Sequence, residues 1–126
     1  DGKLWRGTLE GNAIEFKLPN LISNSKFLIN KNTLIYSNEK NIFIVDEKFD
    51  LLHTFELENR IKEISTFNDN LIIKTSTAIY VWKDGEIKEG TPIETNGLTA
   101  VNDLDKDGKL NLLISRDAFL YNFEIE

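Results

Sequence analysis

The chain of 126 residues contains no cysteine and a single histidine, His53. The absence of cysteine excludes disulfide bonds and thiolate metal sites. A Ser-His-Asp nucleophile system would have to use His53, whose apolar neighbours Leu52 and Phe55 place it in an ordinary outer strand. The sequence therefore favours a surface or hydrogen-bonded role for His53 over catalysis. It also lacks a Gly-rich phosphate loop, a histidine-rich metal set and a nucleophile elbow.

Positive charge is scarce as well, because 15 lysines and arginines face 21 aspartates and glutamates, for a net charge of −6. No basic stripe exists to neutralise phosphates, so we expect no nucleic-acid partner. No apolar run approaches the ~20 residues that a membrane-spanning helix needs, so we expect no membrane span. Forty per cent apolar and ten per cent aromatic residues exclude a disordered chain. The length suits one domain that buries roughly two-thirds of its unfolded surface.

A repeat of about forty residues organises the chain. The apolar pairs Leu34-Ile35, Ile72-Ile73 and Leu113-Ile114 recur at offsets of 38 and 41 residues. Each pair lies between two further short runs of apolar and β-branched residues, which is typical of consecutive strands. No segment has a credible helical pattern. Four short antiparallel strands per repeat of this length are the signature of a β-propeller blade.

The repeat predicts an all-β chain made of β-propeller blades of four antiparallel strands, about three blades' worth and thirteen strands. Closed propellers typically have four to eight blades. We therefore expect this chain either to be part of a larger propeller, which is the favoured reading, or to complete a ring by assembly. The predicted boundaries are a partial blade over 1–24, blades over 25–59 and 60–95, and a partial blade over 96–126.

The most informative segment is Asp-Leu-Asp-Lys-Asp-Gly-Lys-Leu-Asn at 103–111. Oxygen-bearing side chains occupy its first, third, fifth and ninth positions, and Gly108 at the sixth permits a sharp reversal of the backbone. This is how a short loop wraps a hard cation such as Ca²⁺. The predicted ligands are the carboxylates of Asp103, Asp105 and Asp107, the backbone carbonyl of Lys109 and the side-chain oxygen of Asn111. Water would complete the coordination shell of the cation.

The flanks of the loop decide what kind of Ca²⁺ site this is. A helix-loop-helix Ca²⁺ site needs a bidentate glutamate at the twelfth position, where this chain has Ile114. The flanks are strand-like, so the loop is predicted to close a β-hairpin. Three carboxylates within ~4–5 Å repel by roughly 3–4 kcal/mol per pair at an effective dielectric of ~20, and a divalent cation turns that repulsion into attraction. Mg²⁺ fits less well because it requires near-octahedral geometry and keeps most of its waters.

The alternative is a plain hairpin turn, since Asp-Gly is a common turn dipeptide and Asp and Asn are common turn residues. The cation is favoured because all the spacing requirements hold together.

The motif resembles the loop of FG-GAP or VCBS repeats, since it reads Asp-x-Asp-x-Asp-Gly-x-x-Asn followed by Leu-Leu-Ile. Those repeats build the β-propellers of integrin α-subunits, of many bacterial surface proteins and of some polysaccharide lyases. The specific match covers residues 99–115, and the resemblance implies a structural Ca²⁺ site in a cell-surface or secreted protein.

The chain also departs from that family. The equivalent hairpins at Asn30–Asn32 and Asn68–Asn70 are short and lack three spaced carboxylates. The blades lack the Phe-Gly and Gly-Ala-Pro sequences that give the family its name. A generic bacterial propeller in which one blade acquired the Ca²⁺ loop fits these departures.

Aromatic residues and acidic pairs are the remaining candidates for a site. The aromatic residues either form a carbohydrate-stacking platform or pack between blades. Packing is favoured for all of them except Trp5, for which both roles stay open. The acidic pairs fall in predicted hairpin turns, where solvated charge is expected, so they are not taken as acid–base catalysts. The aromatic residues are Trp5, Tyr80, Trp82 and Tyr121, and the acidic pairs are Asp46-Glu47 and Asp84-Gly85-Glu86.

These observations predict a non-enzymatic binding or scaffold module whose Ca²⁺ is structural. Its partner would be a protein, a glycan or the remaining blades of the same propeller. Sites of this kind in extracellular modules have Kd values near ~10⁻⁴–10⁻³ M, which suits an extracellular, cell-surface or periplasmic location. The alternatives are the propeller portion of a carbohydrate-active enzyme with its active site outside this segment, and a structural subunit of a surface or secretion assembly.

Overall fold

The computed structural model describes residues 3–7, 13–18, 20–22, 24–95, 97, 99–103 and 105–125. Regular structure in these residues consists of fourteen β-strands, without a helix, which confirms the predicted all-β class for the described part. Accordingly, none of the described residues forms a helix of the length and apolarity needed to cross a bilayer. The chain divides into two compact units, Asp1–Glu58 and Asn59–Glu126.

The first unit contains an antiparallel strand pair and a four-stranded antiparallel sheet of order β3-β4-β5-β6. The pair is formed by β1 (Lys3–Gly7) and β2 (Ala13–Lys17). The sheet is formed by β3 (Phe27–Asn30), β4 (Thr33–Ser37), β5 (Asn41–Val45) and β6 (Leu51–Glu56).

Tight turns and a small apolar core hold the four-stranded sheet. Asp46 fixes the turn between β5 and β6, because its Oδ1 accepts hydrogen bonds from the backbone N–H groups of Lys48 (2.8 Å) and Asp50 (3.0 Å). The rings of Tyr36 and Phe43 stack with their centroids 4.9 Å apart. Such a stacked pair contributes about 0.5–1.5 kcal/mol beyond the burial of its area. The core cluster comprises Leu18, Leu21, Tyr36, Phe43 and Val45.

The second unit contains two antiparallel sheets. The five-stranded sheet has the order β10-β9-β8-β7, with β11 also paired to β9, and the three-stranded sheet has the order β12-β13-β14. The first consists of β7 (Ile61–Phe67), β8 (Asn70–Thr75), β9 (Ala78–Lys83), β10 (Glu86–Ile87) and β11 (Ile93–Glu94). The second consists of β12 (Thr99–Asn102), β13 (Leu110–Arg116) and β14 (Phe119–Ile125).

One apolar cluster joins the two sheets of the second unit. The cluster includes four side chains that are each at most 1% exposed: Ile79 and Val81 of β9, and Leu112 and Ile114 of β13. Each fully buried side chain of this kind contributes roughly 1.5–3 kcal/mol. Strand β13 is the middle strand of the three-stranded sheet and packs into this core. The C-terminal end of the loop that precedes β13 is therefore held in place.

The repeated apolar pairs all lie in the second strand of a sheet. Leu34-Ile35 is in β4, Ile72-Ile73 in β8 and Leu113-Ile114 in β13. Two details differ from the sequence prediction. The strand expected near Glu86–Glu89 covers only Glu86–Ile87, and the two-residue strand Ile93–Glu94 was not expected. A strand of two residues is too short to show an alternating pattern.

Candidate metal centre

The proposed cation loop connects β12 to β13, as predicted for a hairpin. The last strand pair before the loop joins Asn102 of β12 to Asn111 of β13, so both ends of the loop are held by the sheet. Leu104 lies outside the described residues. The other loop residues, Asp103 and 105–109, are described and define the arrangement of the three carboxylates.

The carboxylates of Asp103, Asp105 and Asp107 converge. One oxygen from each residue can be chosen so that all three lie within 4.8 Å of one another. Ca²⁺ binds oxygen at 2.3–2.6 Å, so two ligands on opposite sides of one ion are roughly 4.6–5.2 Å apart. The observed spread therefore suits a shared cation. Asp103 is half-buried, whereas Asp105 and Asp107 are exposed and open to solvent.

Backbone hydrogen bonds orient two of these carboxylates. Oδ1 of Asp103 accepts from the N–H of Asp107 (3.1 Å), and Oδ2 accepts from the N–H of Gly108 (2.8 Å). Oδ1 of Asp107 accepts from the N–H of Lys109 (2.9 Å). A carboxylate oxygen has two lone pairs, so each of these oxygens can accept one N–H and still face a cation. The loop thus holds Asp103 and Asp107 in place without using up their oxygens.

The backbone reversal occurs where the sequence predicts it. Gly108 has φ = +86°, and a Cβ added there would meet nothing within 4 Å. Lys106 also lies in the left-handed region, with φ = +59°. Glycine is favoured at position 108 for its backbone conformation, since the space for a side chain is open.

The two remaining predicted ligands flank this reversal. Asn111 in β13 is only 3% exposed, between Asn102 of β12 and Glu124 of β14. Lys109 donates its N–H to Asp107, so its peptide group belongs to the loop. The ligand roles of the Lys109 carbonyl and the Asn111 side chain stay predictions from the sequence.

A fourth acidic residue at this centre was missed by the sequence reasoning. Glu124 in β14 is the cross-strand neighbour of Asn111, and its carboxyl group shares a hydrogen bond with that of Asp107. This hydrogen bond raises the pKa of Glu124 above its ordinary value, with burial and the charges of Asp107 and Asp105 acting in the same direction. The pKa of Asp107 is lowered, first by the N–H of Lys109 and then by Glu124. The two carboxyl groups therefore titrate as a pair.

The signal that locates Glu124 is the register of a hairpin. The turn at Asp117–Ala118 pairs Arg116 with Phe119, and counting five residues back along β13 and five forward along β14 brings Glu124 opposite Asn111. The motif at 103–111 ends before this strand. A search confined to the motif therefore cannot find Glu124.

The other candidate residues lie away from the loop in the chain. His53 is exposed in β6, at the edge of its sheet. Tyr80 and Trp82 are half-buried in β9, whereas Tyr121 is 40% exposed. The guanidinium carbon of Arg116 lies 5.2 Å from the centroid of the Tyr121 ring, within cation–π range. The side chain of Trp5 lies outside the described part of the structure.

The acidic pairs lie in or next to turns, and Glu86 is the first residue of β10. Asp46 precedes the turn at Glu47–Lys48, and Asp84–Gly85 forms the turn between β9 and β10.

Comparison with protein-family models and with curated proteins finds no match for this chain.

Proposed function

We propose that the chain is a β-propeller segment that acts as a non-enzymatic binding or scaffold module, stabilised by one Ca²⁺ ion on the β12–β13 loop. The observation that carries the proposal is the convergence of Asp103, Asp105 and Asp107 within 4.8 Å on a loop whose ends are fixed in a sheet. The Lys109 carbonyl, the Asn111 side chain and water complete the shell. A flexible oxygen site of this kind suits Ca²⁺ better than Mg²⁺.

The Ca²⁺ in this proposal is structural. It offsets the mutual repulsion of the carboxylates and thereby holds β12 against β13. At a Kd of ~0.1 mM and a free Ca²⁺ concentration of ~1 mM, binding adds roughly 1.4 kcal/mol of stability. Affinity in this range is useful where Ca²⁺ is millimolar, so the proposed location is extracellular, at the cell surface or periplasmic.

The strand order supports the propeller part of the proposal. The sheets over residues 27–56, 61–94 and 99–125 are all antiparallel, and consecutive strands pair in chain order except that β11 pairs with β9. Their second strands carry the repeated apolar pairs. We take these sheets as blades of a larger or assembled propeller, whose loops present a binding surface to a protein or glycan, or whose edges dock against further blades.

Glycan cleavage within this segment is disfavoured by the chemistry of one cavity of the second unit. This cavity of about 270 Å³ is lined by strands β7, β8, β9 and β12, and Glu63 is the only carboxylate among its described lining residues. Most glycosidases use two carboxyl groups about 5–10 Å apart across the scissile bond. The acidic residues at 46–47 and 84–86 lie in or next to turns, with Glu86 at the start of β10, and are better explained by solvation.

Equilibrium dialysis of the metal-free chain against Ca²⁺ tests the proposal. We expect one Ca²⁺ per chain with a Kd between ~10⁻⁴ and ~10⁻³ M, and at least tenfold weaker binding of Mg²⁺. The matched control is Asp84→Asn, which removes a turn carboxylate outside the loop and should leave binding unchanged. Saturable binding that Asp105→Ala leaves intact would place the ion elsewhere and overturn the assignment.

A further inference from the structure

The outer edge of strand β14 is an edge of its sheet. In the strand order β12-β13-β14 it comes last, and among the described strands it pairs only with β13. The equivalent third strands of the other two large sheets, β5 and β9, are each paired on both sides. An edge strand presents a row of backbone N–H and C=O groups with which a further strand can pair. Strand β14 therefore offers an edge to which one more strand can be added.

This edge lacks the features that keep sheet edges from pairing, which are shortness, bulges, lysine and proline. Strand β14 has seven residues, none of them lysine, arginine, proline or glycine, and its seven pairs with β13 show no shift of register. The other long edge strands in the described part, β6 and β7, each pair with their neighbour across a shift of register. The remaining described edge strands have at most five residues. Strand β14 is therefore the edge of this chain best suited to pairing.

Apolar side chains are exposed at the first end of β14. Phe119 is 67% exposed, Leu120 70% and Tyr121 40%. The face that carries Phe119 and Tyr121 continues, two residues at a time, to Phe123, which packs against the core, and to Ile125, which is 7% exposed. The rings of Tyr121 and Phe123 stack with their centroids 6.4 Å apart. One apolar face thus runs along the whole strand, and the core covers only its second end.

We propose that β14 pairs with β14 of a second copy of this chain, antiparallel and centred on Asn122. This register places Phe119 opposite Ile125 of the second copy, so that the covered end of one face lies beside the exposed end of the other. It also places Tyr121 opposite Phe123 of the second copy, and aromatic pairs across antiparallel strands are stabilising. The twofold symmetry makes each contact twice and joins the two three-stranded sheets into one of six strands.

Charge favours this orientation over a parallel one. Glu124, with its neighbour Asp107, makes the second end of the strand acidic. In the register centred on Asn122, the two copies of Glu124 lie four positions apart, roughly 13 Å at ~3.3 Å per residue. That separation exceeds the Debye length of ~8 Å at physiological ionic strength. Parallel pairing in register would place them side by side, which is destabilising. The inference rests on the strand alone and does not depend on Ca²⁺ binding.

Sedimentation equilibrium of the whole chain in metal-free buffer tests the self-association. We expect the mass to rise from 14.5 kDa towards twice that value as the concentration increases. Leu120→Lys should weaken the association at least tenfold, because lysine on an edge strand opposes pairing. The matched control is Leu52→Lys, at a leucine of β6 that is 49% exposed, and it should leave the association unchanged.

Three outcomes of this experiment would overturn the proposal. The first is a mass of one chain at every concentration between ~5 µM and ~500 µM, which would leave the edge to a strand of another protein. The second is an equal effect of the two lysine substitutions, which would indicate general apolar association. The third is growth beyond the dimer, because twofold pairing uses the β14 edge of both copies.

A single introduced cysteine tests the register, since the chain has none of its own. Asn122→Cys should form a disulfide between two copies on mild oxidation, because facing residues of antiparallel strands have Cα atoms ~4.5–5.5 Å apart, within disulfide range. The matched control is Leu120→Cys, whose two copies would be roughly 13 Å apart and should stay reduced. Equal cross-linking of the two variants, or none in Asn122→Cys while the chain is dimeric, would contradict the proposed pairing.

Discussion

The carboxyl groups of Asp107 and Glu124 share a hydrogen bond, although the two residues lie on different elements, one in the β12–β13 loop and the other in β14. Two carboxyl groups that share a hydrogen bond favour a bound proton or a nearby cation, because both cannot easily carry a negative charge. The strand register that places Glu124 opposite Asn111 is what brings them together. The negative potential of the centre therefore comes from four acidic residues, one more than the motif contains.

Removing the charge of Glu124 should weaken Ca²⁺ binding. A carboxylate ~6 Å from a divalent cation contributes about 1 kcal/mol at the dielectric of an exposed site. Glu124→Gln is therefore expected to raise the Kd for Ca²⁺ roughly fivefold, as measured by calorimetric titration. Glu94→Gln, at an exposed position in β11, is the matched control. An unchanged Kd in Glu124→Gln would show that this residue does not act on the cation.

Asp105→Ala should abolish the dependence of stability on Ca²⁺. In the absence of metal, the variant should be as stable as the unaltered chain, or slightly more stable, because one of three mutually repelling carboxylates is gone. Urea unfolding with and without Ca²⁺ measures both effects. A large loss of stability in metal-free buffer would count against a ligand role and in favour of a purely structural one.

Asp103→Ala should behave differently, because this carboxylate also accepts the N–H groups of Asp107 and Gly108. We expect a loss of about 1 kcal/mol in the free energy of unfolding even without metal, since water replaces these partly exposed hydrogen bonds. Asp103→Asn retains one acceptor oxygen and should lose less. Equal metal-free stability of Asp103→Ala and Asp105→Ala would contradict the assigned hydrogen bonds.

Gly108→Ala isolates the backbone requirement of the loop. The added methyl group meets nothing within 4 Å, so the cost comes only from φ = +86°. Placing alanine in this left-handed region should reduce stability by about 1–2 kcal/mol and weaken Ca²⁺ binding. Gly108→Asn should cost less, because asparagine adopts positive φ more readily. If Gly108→Ala matches the unaltered chain in urea unfolding, the loop does not need this reversal.

Strands and loop were predictable because their signals are local. The short apolar run that contains Leu112 and Ile114 of β13 can be read along the sequence, and the spacing of Asp103, Asp105 and Asp107 already indicates that their carboxylates converge. Positive φ at Gly108 follows from the same pattern.

Features that depend on pairing between distant segments were not predictable in this way. Glu124 reaches the centre through the register of β13 and β14, which the motif does not contain. The strand Ile93–Glu94 is defined by its pairing with β9 rather than by its own residues. The apolar cluster that joins β9 to β13 requires two sheets to pack, and no spacing within the chain indicates it.

The measurement that tests the central claim most directly is thermal unfolding of the whole chain in metal-free buffer, with ~1 mM Ca²⁺ and with ~1 mM Mg²⁺. A Kd of ~0.1 mM predicts a rise in Tm of roughly 5 °C with Ca²⁺ and a much smaller rise with Mg²⁺. Equal Tm values under all three conditions would contradict the account and leave the β12–β13 loop as a plain turn.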